Sequence, residues 1–139
     1  MFNNPRRSRE DITFTDYLDF EFLEVGDFVV DTHRGEIRVV AYSLIILDRH
    51  PQYAEFEHST ECLLVFTGVS TSRRVISRYK GGDPKGREGF ESDETVIDDF
   101  GATAAVHPKS YFFDGVLRDP RAWISWDIDA EGYEIRPAS

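Results

Sequence analysis

The sequence predicts a mainly β fold (β-rich α+β), a curled antiparallel meander or partly closed barrel of seven to nine strands with one short helix. Three observations predict it. Residues 122–130 alternate strictly: Ala122, Ile124, Trp126, Ile128 and Ala130 fall on one face, and Trp123, Ser125, Asp127 and Asp129 on the other. The apolar runs EIRVVAYSLIILD (36–48) and ECLLVFTGV (61–69) are rich in β-branched and aromatic residues, which suit a pleated surface. Eleven Phe, six Tyr and two Trp in 139 residues are enough for a single core and exclude a disordered chain.

Taken in order, residues 1–11 read as a loose, Arg-rich N-terminal arm with Pro5, and residues 12–139 as one β-rich domain. DITFTDYLDFEFLEV (11–25) fits two periods, since Leu18, Phe20 and Phe22 alternate while Phe14, Leu18 and Phe22 repeat at helical spacing. Its aromatic content and lack of Ala or Lys favour strand. Gly26-Asp27 marks a turn, and Phe28 to Thr32 a short strand closed by Arg34-Gly35. The 36–48 run reads as one long central strand, apolar on both faces from Val39 to Leu47 and ended by Arg49-His50-Pro51-Gln52.

Tyr53 to His58 reads as an edge strand or loop, and Glu61 to Val69 as a second central strand. Ser70 to Tyr79, with Arg73, Arg74 and Arg78, is its hairpin partner or bent continuation. Residues 80–92 carry four glycines and a proline and form the one long loop. The short helix falls at 93–100: Asp93 suits its cap, Val96, Ile97 and Phe100 share one side, and Gly101 suits the residue past its end. Ala102 to His107 is weakly strand-like. Asp119-Pro120 then separates the Tyr111 strand from the Trp123 strand, and Glu131-Gly132 turns into a last strand. Phe66-Thr67-Gly68-Val69 and Phe113-Asp114-Gly115-Val116 repeat one F-x-G-V pattern, whose glycines mark bulges or close approaches.

Charge narrows the functional classes. The net charge of −10 is spread over an acidic body with one basic band at residues 62–90. Such a field repels nucleic acid and anionic lipid and attracts cationic partners. Cys62, the sole cysteine, cannot form an internal disulfide and lies in an apolar run, which points to a reducing, cytoplasmic setting. Neither a signal peptide nor an apolar run of membrane-spanning length is expected.

Chemical motifs are weak. Asp127-x-Asp129-x-Glu131-Gly132 begins like a calcium loop, but Ala138 stands where the bidentate glutamate belongs. His33, His50, His58 and His107 show no metal-binding spacing and flank turns or prolines, and no G-x-S-x-G elbow occurs. No metal or cofactor is implied. The glycine loop at 81–86 lacks the order of a phosphate-binding loop. Asp98 and Asp99, with Glu94 nearby, point apart on a helix and read as a solvated acidic face. What remains is Trp123 beside Asp127 and Asp129 on one strand face, suited to a Lys- or Arg-rich partner through cation–π contact and charge pairing.

The F-x-G-V strand endings and the pattern Trp123-x-x-Trp126-x-Ile128-x-Ala130 carry a resemblance. From about residue 60 to 135 the chain resembles the small, acidic, β-rich immunity proteins encoded with bacterial polymorphic or contact-dependent toxins. That resemblance implies stoichiometric occlusion of a toxin domain, often a basic one, and assigns no functional residue, because these families diverge too far. The expected function is therefore a non-enzymatic, immunity-type inhibitor. It would bind a basic protein through Trp123, Asp127, Asp129, Asp98, Asp99 and Glu94. The alternative is a small-molecule-binding or enzymatic β-barrel with an aromatic pocket.

Overall fold

A computed structural model describes residues 10–79, 90–100, 107–119 and 121–138. The loose arm (1–9), most of the glycine loop (80–89) and the weak strand at 102–107, apart from His107, lie outside the described residues. The alternation at 122–130 becomes strand β9 (Ala122–Ala130), with every even-numbered residue buried. It lies between β8 (Lys109–Leu117) and β6 (Thr71–Tyr79), in antiparallel register from Lys109↔Ala130 to Leu117↔Ala122 and from Thr71↔Asp129 to Arg78↔Ala122.

The other main strands are β2 (Glu24–Asp31), β3 (Glu36–Tyr42), β5 (Glu61–Thr67), β7 (Phe90–Asp99) and β10 (Gly132–Arg136). Together the eight form one sheet in the order β10-β5-β3-β2-β8-β9-β6-β7, curled but not closed into a barrel. One joint departs from the antiparallel expectation: β2 meets β8 in parallel at Glu24↔Val116 and Val25↔Leu117. Among the described residues no helix is long and apolar enough to cross a membrane.

The curl comes from one sharp bend shared by two connections. β5 passes to β6 through Gly68–Ser70, and β9 to β10 through Glu131 alone. The Glu131 N–H donates to the carbonyls of Thr67 (3.0 Å) and Gly68 (3.1 Å), while the Ser70 N–H donates to that of Asp129 (2.8 Å). Gly68 has φ +61°, and a Cβ there would lie 2.6 Å from Glu131 Cγ, so only glycine fits. Gly115, its counterpart in the repeated pattern, solves a different problem. A Cβ at Gly115 would sit 2.7 Å from the Leu23 carbonyl oxygen, where the chain enters the parallel joint. The two Phe residues of the pattern do meet across the curl, with rings stacked at 6.0 Å.

Several local expectations give way. The 36–48 run is not one strand: Ser43 adopts φ 59° and ends β3, and β4 (Ile45–Ile46) pairs instead with β1 (Leu18–Asp19). Residues 14–25, expected as strand, divide among a one-turn helix α1 (Ile12–Thr15), the two-residue β1 and the start of β2. Asp11 caps α1 by accepting from the Thr13 N–H (3.1 Å). Gly26-Asp27 forms a bulge inside β2 rather than a turn, and Tyr53 to His58 contains a one-turn helix α2 (Tyr53–Phe56) that buries Phe56.

The helix expected at 93–100 is strand β7, which also absorbs 90–92 from the expected loop. Thr95, Val96 and Ile97 are β-branched and disfavour helix, and β6 offers a ladder from Thr71↔Asp99 to Tyr79↔Phe90. The hollow of the curl is filled by Phe14 from α1, whose ring centroid lies 5.0 Å from those of Phe20, Tyr111 and Tyr133. Burial of such rings is the main stabilising term of a sheet that is not closed.

Candidate functional site

Strand register assembles an outward face across β7, β6, β9 and β8. Directly paired residues share a face, so Ile97, Arg73, Asp127 and Phe112 form one row over four strands. Ile97 is 73% and Phe112 53% exposed, high values for such large apolar side chains. The next row is Asp99, Thr71, Asp129 and Ser110, and two rows further down Trp123 lies half-buried between Ser77 and Val116. Beside the first rows an open groove of about 700 Å³ runs against residues 10–15, with Phe20, Tyr111 and Phe112 among its lining.

The six residues singled out from sequence part into two sets. Trp123, Asp127, Asp129 and Asp99 share the outward face. Among the described residues Asp127 has no hydrogen-bond or ion-pair partner and is exposed. Asp129 is clamped, accepting from Thr71 Oγ1 (2.9 Å) and Ser110 Oγ (3.0 Å), and Asp99 is engaged as well. Asp98 and Glu94 point to the opposite side, since adjacent strand residues do not share a face. Glu94 there is exposed.

Asp98 belongs to a buried cluster. It pairs with Arg74 (2.5 Å) and accepts from Ser72 Oγ (2.9 Å), which in turn accepts from Trp126 Nε1 (2.8 Å). The Arg74 guanidinium lies over the rings of Phe28 (5.1 Å) and Trp126 (5.2 Å). Its Nε is buried with no acceptor among the described residues.

A second polar cluster closes the other side of the core. His50 Nδ1 accepts from the Gln52 N–H (3.0 Å), so the ring proton is on Nε2 and is donated to Tyr133 Oη (2.7 Å). The chain continues from Tyr133 Oη to Thr13 Oγ1 (3.0 Å) and from Thr13 Oγ1 to Asp11 Oδ1 (2.7 Å), while Tyr111 Oη donates to Asp11 Oδ2 (3.0 Å). Burial holds His50 below its ordinary value, the Asp11 charge opposing, and holds both tyrosines above theirs. These groups stay neutral and shut away from solvent, so the chain ties α1 to the sheet. Burial also pushes the Cys62 thiol up to about 11, leaving it inert as a nucleophile. Among the described residues no group of three His, Cys, Asp or Glu could hold a metal ion.

Arg73, Ile97 and Phe112 escaped the sequence reading. Phe112 had a signal: three aromatics in a row at 111–113 on a strand must send the middle one outward. Arg73 and Ile97 needed the register of β6 and β7. No protein-family model, curated protein or solved structure matches the chain.

Proposed function

We propose that the chain is a non-enzymatic binding protein of the immunity type, occluding a basic toxin domain with the outward face of β6, β9 and β8. The observation that carries this reading is the row Ile97, Arg73, Asp127, Phe112: apolar anchors held exposed on paired strands, with a free carboxylate between them. Exposed large apolar groups ringed by polar ones are the energetic centres of interfaces. The net charge of −10 and the Asp127 carboxylate steer a cationic partner and speed its association. The filled hollow around Phe14 favours a binding surface over an internal ligand cavity.

The test is a tagged pull-down from native lysate at low and moderate salt, run in parallel with Asp127→Lys and Phe112→Ser. One basic protein held stoichiometrically by the parent chain, released as salt rises and lost from both variants, is the expected result. Equal retention by both variants overturns the assignment of this face. A second reading, a small-molecule-binding protein, draws on the groove of about 700 Å³ beside Phe20, Tyr111 and Phe112. A bound small molecule released on denaturation, with no protein retained, is its signature.

A further inference from the structure

The sheet ends in two edges, and they are treated differently. At β10 the side-chain amide of Gln52 acts as a substitute strand: Nε2 donates to the Ile135 carbonyl (2.7 Å), and Oε1 accepts from the Ile135 N–H (3.1 Å). Pro137, just beyond, has no N–H to offer. That edge is closed to a further strand. At the other end β7 is ten residues long, and among the described residues no strand pairs with its far side. From Ser92 to Asp99 its pairing with β6 runs without a bulge, and it contains no lysine and no proline, the usual devices that blunt an edge.

β7 does carry five carboxylate residues within FESDETVIDD. Two copies of this strand placed edge to edge would set like charges against each other, which is unfavourable. The same charges favour a strand bearing Lys or Arg. Ile97, the most exposed large apolar side chain among the described residues, stands on this strand where an added neighbour would cover it.

Building on the proposed function, we propose that the basic partner adds a strand of its own to the free edge of β7. The pairing uses the unpaired backbone N–H and C=O groups of β7, with a basic residue opposite Glu94 and an apolar one opposite Ile97. The partner segment is therefore an extended, alternating basic and apolar stretch of about eight residues, long enough to span Ser92 to Asp99. Backbone pairing gives affinity with little dependence on sequence, and the carboxylates select the charge.

The experiment uses the full chain with three synthetic ten-residue probes: an alternating Lys–Val peptide, its Glu–Val counterpart, and the Lys–Val peptide N-methylated at its two central amides. Adjacent methyl groups interrupt both edges of the peptide while leaving its charge unchanged. The Lys–Val peptide should bind and protect alternate β7 amides from hydrogen exchange. The methylated peptide should bind about tenfold more weakly or worse, as expected for two or more lost hydrogen bonds, and the Glu–Val peptide should not bind. Equal binding by the methylated peptide, or no binding by any of the three, overturns the edge proposal. Asp127 lies two strands in from this edge, so the pull-down with Asp127→Lys reports separately on the outward face.

Discussion

The two polar clusters within the curl are built on opposite plans. Around α1, hydrogen bonds run in series from His50 through Tyr133 and Thr13 to Asp11, and each donated proton has an acceptor. Only the terminal carboxylate is charged, and Lys109 approaches it at 3.9 Å. Against β7, a full ion pair between Arg74 and Asp98 sits with side chains only 13% and 15% exposed, and one Arg74 donor has only ring faces for company. The neutral chain is tolerant, because losing one link leaves a polar group unpaired but no buried charge. The ion pair is brittle, because losing either partner strands a charge. The brittle cluster is also the one that fastens the open edge strand to the core.

The largest effect should come from Asp98→Ala. Leaving Arg74 unpaired is expected to cost about 3 kcal/mol, read as a lower urea midpoint with unchanged slope, and β7 amides should lose exchange protection before those of β8. A cost below about 1 kcal/mol, within the range of an exposed pair, would erase the contrast between the clusters. Tyr133→Phe, which cuts the neutral chain at its middle, should cost about 1–2 kcal/mol and leave β7 protection unchanged. A larger loss than that of Asp98→Ala would invert the comparison.

The smallest effect concerns pH. Because burial holds folded His50 below its ordinary 6.5, the unfolded chain takes up a proton that the folded chain refuses in the window just below that value. The stability owed to neutral His50 is complete above the unfolded value and declines as pH falls through the window. Urea midpoints at about pH 7.5 and about pH 5.5 should therefore fall more for the parent chain than for His50→Gln. An identical fall would mean that the imidazole is solvated.

Much of the fold was legible where a local rule had no competitor. The two faces of β9 followed from strict alternation, and the same rule placed Trp123, Asp127 and Asp129 together. Where two periods fitted, tertiary partners decided. Asp93 and Gly101 bracket a plausible helix, yet β6 supplied a ladder and Arg74 a counter-charge for Asp98, and the segment became an edge strand. His50 was read as a turn residue because Pro51 follows it, while its partner Tyr133 lies far along the chain, where no local pattern reaches. The break at Ser43 had no glycine or proline to announce it. Arg73 and Phe112 joined Asp127 only through the register of neighbouring strands, which a single strand's alternation does not contain.

The bend at Gly68 and Glu131 has a consequence for the order in which the chain acquires its shape. The pairs β2–β3, β6–β7 and β8–β9 join segments that follow one another, so they can zip early. The β5–β10 ladder unites residues 63–67 with 132–136, and its loop-closure entropy is offset only once the intervening chain is already arranged. Sealing of the curl is then the slow, late event. Until it occurs, the side of β5 reserved for β10 is itself a free edge in the folding chain, a transient opportunity for mispairing between molecules that the finished protein no longer presents.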